Sequence, residues 1–285
     1  MMRLLLFLLP LAIVSCSAPS PQSPSNLQAP ARTESSAQVD IQKAEVAQAA
    51  SPAPIQPPGP VSSPALIRTQ LDGIAIDAIA FDSRTHYLAV VDQPGGPGSK
   101  WPDCRAAGQA TKAIAAINAG FFTPEGTPLG KLIADGDSTG ILNRASSLGA
   151  GFFVLSKGGS MELVRRERFT GGNQALQSGP FLVEHDRAVG GLSEKQSSAR
   201  CFVASDGVNG WIIARTGACS LRSLAAALAG QSIGPVSLDT VLNLDGGRSS
   251  EIWASSSVSN GPYFDRPFWN KPVRNFLVLR PLGTN

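Results

Sequence analysis

A chain of 285 residues with a net charge of +3 and 42% hydrophobic residues can bury one large core or two small ones. Charged residues make up 16% and form no long basic run, which argues against nucleic acid as a partner and against a polybasic membrane patch. Two histidines and four cysteines, with no Cys-x-x-Cys or His-x-x-x-His spacing, argue against the common zinc sites.

Met1–Ser15 carries Arg3, an apolar core from Leu4 to Val14 and small residues before Cys16. The stretch is too short to span a bilayer and has the layout of an export signal. Its ending, Ile13-Val14-Ser15-Cys16, looks like a bacterial lipoprotein signal, cleaved before Cys16, which then receives the lipid. An ordinary secretory signal followed by an incidental cysteine is the alternative. The expected location is the bacterial cell envelope, with the membrane reached through the N-terminal lipid. Residues 16–65 are dominated by Ser, Ala, Pro and Gln, cannot bury enough surface to offset the entropy of ordering, and read as a disordered linker. The globular domain then occupies residues 66–285.

Within it, Ile74 to Phe81 and Tyr87 to Val91 flank the turn-like Asp82-Ser83-Arg84-Thr85 and read as a hairpin. Pro94 to Lys100 is a surface loop, because it lacks the Gly-Lys-Ser/Thr ending of a phosphate-binding loop. Trp101 to Ala113 should hold a short helix before a buried strand that ends at Asn118. Thr123 to Gly130 is too rich in Pro and Gly for regular structure and can wrap the mouth of a site. Gly151–Leu155 with Met161–Val164, and Cys201–Ala204 with Trp211–Ala214, flank glycine turns and read as hairpins. Ser220 to Ala229 is the convincing helix: Ser220 can cap it, Leu221, Leu224, Ala225 and Leu228 share one face, and Gly230 ends it. Asn275 to Leu279 is a final strand. The expected fold class is α/β of the α+β type, a strand-rich mixed sheet with few helices in a single globular domain.

Gly136-Asp137-Ser138-Thr139-Gly140 matches the nucleophile-elbow pattern, which would make Ser138 the centre of a serine hydrolase. That pattern needs a helix after it and a later histidine. Ile141 to Ser147 is a poor helix and His185 is the one later histidine, so a turn between strands is the better reading. His86 and His185 are read as surface or turn residues. Two other segments follow apolar strand-like runs: Asn118-Ala119-Gly120-Phe121-Phe122 after Ala113 to Ile117, and Asn243-Leu244-Asp245-Gly246-Gly247-Arg248-Ser249-Ser250 after Thr240 to Leu242. Paired glycines leave backbone N–H groups unobstructed, and two strand-to-loop junctions make a better site than one.

In order along the chain, Asn118 to Phe122, Ser178-Gly179-Pro180, Ser198-Ala199-Arg200, Asn243 to Ser250 and Pro272 to Phe276 resemble the phosphodiester glycosidase family. The resemblance covers roughly the last two thirds of the chain, with Arg248 standing where the family usually has a third glycine. It implies cleavage between a sugar's anomeric carbon and a phosphodiester oxygen, with a sugar-phosphate or polysaccharide as partner. Phosphate is already a good leaving group, so the remaining demands are to hold the phosphate and to stabilise an oxocarbenium-like carbon. Arg200 is the first candidate for gripping phosphate and Arg274 the second, since a guanidinium matches two phosphate oxygens. Asp245 is the preferred carboxylate, as nucleophile, as base or as ligand to calcium or magnesium; no cofactor is certain. The amides of Gly246 and Gly247, with Ser249 and Ser250, would complete an anion cradle. Asn118 would bond a sugar hydroxyl or fix the loop carrying Asp245. Glu125 and Asp135 are candidates for a second carboxylate. Of Cys104, Cys201 and Cys219, the pair Cys201 and Cys219 is expected to form a disulfide, since the hairpin between them brings their strands together. A non-catalytic polysaccharide-binding lipoprotein of the same fold is the alternative to a hydrolase.

Overall fold

Asp72-Gly73 turns the chain back on itself with both residues at positive φ, 46° and 78°, as a two-residue hairpin requires. This joins Ala65–Leu71 to Ile74–Asp82, the first hairpin of the computed structural model, which describes residues 63–283. The expected signal, Cys16 and nearly all of the linker lie outside the described residues. Ile74–Asp82 does not pair with His86–Asp92, contrary to the hairpin expected there. It pairs instead with Gly210–Cys219, while His86–Asp92 pairs with Asn275–Pro281. The turn between them is a corner between two sheets, closed by the Asp82 carboxylate, which accepts from the Arg84 backbone N–H at 2.7 Å and from its guanidinium.

Three larger sheets and a short ribbon result, and every strand ladder in them is antiparallel rather than mixed. The first sheet has seven strands in the order Ala65–Leu71, Ile74–Asp82, Gly210–Cys219, Ser198–Ser205, Thr240–Asn243, Phe181–Glu184, Arg187–Ala188. The second has five: Tyr263–Asp265, Ile252–Ala254, Ala115–Asn118, Asn275–Pro281, His86–Asp92. The third also has five, with Gly151–Leu155 paired to Met161–Arg165 and to Gln174–Ser178, as the glycine-turn hairpin predicted.

Side-chain alternation explains how these layers stack. Ile79 and Phe81, Leu277 and Leu279, Phe153 and Leu176 point from the three sheets into one shared core. The opposite face of the first sheet, with Ile76, Ala78, Phe202 and Ile212, is covered by Leu224, Ala225 and Leu228 of the helix Leu221–Leu228. Ser220 and Ser223 close that helix with reciprocal capping bonds. The outer face of the second sheet, with Ala116, Phe276 and Val278, is covered by Cys104 and Ala107 of the helix Cys104–Ala110. Strands buried on both faces need apolar residues on both, which is why Ala115 to Ile117 and Val241-Leu242 are short unbroken apolar runs, each ending in a buried asparagine.

The expected Cys201–Cys219 disulfide is absent, and Cys104, Cys201 and Cys219 are free and buried. A register shift between Ala199 and Cys201 sends Cys201 into the shared core, while Cys219 packs under the helix on the other side of the sheet.

Candidate functional site

The strands Ala115–Asn118 and Thr240–Asn243 belong to different sheets, yet their ends meet. Asp245 N–H donates to the Ala119 carbonyl at 2.8 Å, and Leu244 N–H to the Cys201 carbonyl at 2.8 Å. Asn118, fully buried, clamps the turn at both ends: its Nδ2 donates to the Asp245 carbonyl at 2.7 Å and its Oδ1 accepts from Glu251 N–H at 3.0 Å. The Cys201 thiol also donates to Oδ1, at 3.0 Å. Both acceptor positions of Oδ1 and one Nδ2 hydrogen are used internally, and the side chain is fully buried, so Asn118 fixes the loop rather than meeting a sugar hydroxyl. Ser178-Gly179-Pro180 supports the same strand end, with Asn243 Nδ2 donating to Gly179 and Ser178 Oγ to the Asn243 carbonyl.

Asp245 is partly exposed at the turn. Burial pushes its carboxyl up to about 6, opposed by hydrogen bonds from the Ser249 hydroxyl and the Gly246 N–H. The Gly246 N–H lies 2.8 Å from Asp245 Oδ1, so this amide already serves a carboxylate instead of forming part of an open anion cradle. Gly246 has an ordinary φ of −128°; it must be glycine because a Cβ would stand 2.8 Å from the Ala199 carbonyl oxygen. Gly247, at φ 61°, starts the single turn Gly247–Ser249. Ser250 is fully buried, with its hydroxyl donating to Ala199 and its carbonyl accepting from Asn270 Nδ2 at 2.6 Å, which removes it from the cradle.

Arg200 sits at the register shift in Ser198–Ser205, its side chain against Gly246. Its Nε donates to the Cys219 carbonyl at 3.1 Å and its Nη2 to the Gln196 carbonyl at 2.7 Å. Among the described residues it has no carboxylate within ion-pair distance. Partial burial lowers its pKa from the ordinary arginine value. A half-buried cation without a carboxylate partner, its stem against Gly246, is a place where an anion would be stabilised. Asn118 and the stem of Arg200 both adjoin the Asp245-Gly246 turn, but Asn118 is fully buried and the Arg200 guanidinium is held by the Cys219 and Gln196 carbonyls.

The other candidates fall elsewhere. Arg274 is buried in a two-pronged ion pair with Asp92, at 2.7 and 2.9 Å, and its Nη1 donates to the Gly126 carbonyl; it anchors the 123–130 loop and has no free edge for phosphate. Asp135 lies on a turn of the third sheet, accepting from Gln174 Nε2, and Glu125 is in the exposed loop with Thr123. Ser138 lies in the strand Asp137–Thr139, where its hydroxyl accepts from Lys131 Nζ at 2.7 Å, and no helix follows; the elbow reading fails. Among the described residues, no three His, Cys, Asp or Glu side chains gather as a metal site. Two clefts of about 250 Å³ lie away from Asp245, one along Met161–Val164 and Asp239, the other between Trp101, Lys100 and Asp137.

Sequence reading missed Glu251. It is buried, its carboxyl pushed up to about 8 by burial, which outweighs the opposing influence of Arg266. The two charges lie 2.8 Å apart, but at an angle that gives neither atom a hydrogen bond. Glu251 Oε1 accepts from Cys104 N–H, tying the turn to the short helix. The available signal was a lone acid at the start of the apolar run Ile252–Ala254.

The fold and site together define a strand-rich α+β domain with a partly exposed carboxylate of raised pKa on a glycine turn where two sheets meet. This chain belongs to the phosphodiester glycosidase family, whose sequence model matches residues 111–280. Its fold is similar to that of the zebrafish N-acetylglucosamine-1-phosphodiester α-N-acetylglucosaminidase catalytic domain, described as auto-inhibited by its pro-peptide. That match has a TM-score of 0.53 and 16% identity over 76% of this chain and 81% of the other. A hypothetical protein from Synechocystis is similar at TM-score 0.50 and 15% identity, over 76% of this chain and 61% of that one. No curated protein matches by sequence. The family supports a glycosidase acting on phosphodiesters.

Proposed function

We propose that this chain hydrolyses the bond between a sugar's anomeric carbon and a phosphodiester oxygen in an envelope glycan or glycolipid. The observation that carries this reading is the Asp245 carboxylate, raised to about 6, bordered by an arginine with no carboxylate partner. The bond class agrees with the zebrafish neighbour's described activity. Arg200 would turn from its two carbonyl partners to hold the phosphate. Asp245, mostly ionised above pH 6, would face the anomeric carbon and stabilise its developing positive charge, as nucleophile or as base toward water. The phosphate departs as a monoester anion and needs little help from a general acid. Water supplies the hydroxyl of the released sugar and a proton, which balances the reaction.

The supporting test is incubation of the full chain with a panel of sugar-1-phosphodiesters, with and without chelator. Release of a reducing sugar that Asp245→Asn abolishes and Arg200→Ala weakens supports the proposal. Equal release by Asp245→Asn would refute it. For location, the layout of residues 1–16 supports export and lipid attachment at Cys16. Replacing Cys16 by serine should move the protein from the membrane fraction to the soluble one.

A further inference from the structure

Phe268 and Trp269 are 90% and 55% exposed, with ring centroids 4.9 Å apart in an edge-to-face pair. Isolated apolar side chains on a surface need no explanation, but two large adjacent aromatics held in place do. Their loop is fastened to the Asp245 turn and the residues after it at four points. Arg248 Nε and Nη2 donate to the Trp269 carbonyl at 3.2 and 2.9 Å, and Lys271 N–H donates to the Arg248 carbonyl. Asn270 Nδ2 donates to the Ser250 carbonyl, and Arg266 lies against Glu251. Arg248, the residue that departs from the sequence pattern, thus positions the backbone carrying both rings.

We propose that Phe268 and Trp269 form a saccharide-binding platform beside the Asp245 turn, taking a pyranose ring of the glycan part of the substrate; this rests on the reading of Asp245 as the reacting carboxylate. The C–H face of a pyranose matches an indole face, and flanking polar groups bond its hydroxyls. The surroundings favour a sugar over a lipid. The exposed cations Arg248 and Lys271 flank the pair through their backbone and side-chain bonds to the same loop, and no other large exposed apolar residue lies in the loop itself. A bilayer-seeking surface would present a continuous apolar patch.

The test uses the full chain carrying Asp245→Asn, so that binding is read without turnover. Tryptophan emission is titrated with maltohexaose, chitohexaose and hexagalacturonate, and separately with phosphatidylcholine–phosphatidylglycerol vesicles. The expected result is saturable binding of at least one hexasaccharide that weakens roughly 10-fold or more on adding Trp269→Ala or Phe268→Ala. Arg248→Ala should weaken it in the same direction, while Ile141→Ala should leave it unchanged. Binding unaffected by Trp269→Ala, no binding of any hexasaccharide, or a response to vesicles alone would each overturn the platform. Failure of the catalytic reading is distinct: wild-type chain that cleaves no phosphodiester, yet loses saccharide binding with Trp269→Ala, keeps the platform and discards the hydrolase.

Discussion

Under the proposed reaction, Asp245 would make catalysis and stability pull in opposite directions. Its carboxyl is raised from an ordinary 3.8 to about 6, so between those pH values the folded chain holds a proton that the unfolded chain has released. Stability is accordingly lost as pH rises through that window, by at most about 3 kcal/mol. Asp245→Asn keeps an oxygen for the Gly246 N–H and Ser249 hydroxyl, and should raise the thermal midpoint at pH 7 but not at pH 3.5 while turnover disappears. Scanning calorimetry at the two pH values checks this. In the active chain, kcat/KM should rise through about pH 6 and level off, since the ionised carboxylate is the working form. Ser249→Ala removes a bond that lowers this pKa, so the inflection should move upward; an unmoved profile would separate Ser249 from the reaction.

At the level of elements, the site depends on holding two strand ends in fixed relation across two sheets. Asn118 supplies that link, and Asn118→Ala would leave the Glu251 N–H and the Asp245 carbonyl without their buried partner. The expected cost is roughly 3–5 kcal/mol, read from urea unfolding, with activity falling even where the chain remains folded. Arg274 performs the equivalent service for the 123–130 loop through Asp92 and Gly126. Arg274→Ala strands a buried carboxylate, so a loss of roughly 3–5 kcal/mol is expected. Limited proteolysis should show new cleavage between residues 123 and 130; unchanged digestion would mean that the loop is held by other contacts.

Across the whole molecule, one apolar centre shared by three antiparallel sheets carries the fold, with a short helix closing each outer face described above. No covalent cross-link joins the described residues, since Cys104, Cys201 and Cys219 are buried thiols. Burial raises all three thiol pKa values, Cys201 to about 12, which further suppresses the reactive thiolate. In the folded protein these three should resist alkylation at pH 8 and react together on denaturation, by mass spectrometry, and a reductant should leave the thermal midpoint unchanged.

The sequence by itself determined the short-range features: the capped helix Leu221–Leu228, the glycine-turn hairpin of Gly151–Leu155 with Met161–Arg165, the strands ending at Asn118 and Asn243, and the ordered motifs that mark the family. Each is written in residues near one another in the chain. Only the tertiary structure decided that His86–Asp92 leaves its neighbour for the last strand, that Arg274 faces Asp92, and that Cys201 and Cys219 lie on opposite faces of a sheet. The physical reason is common to all three. Partner choice between distant strands, and the face a side chain takes after a register shift, are settled by long-range packing, in which a shift of a single residue reverses inside and outside.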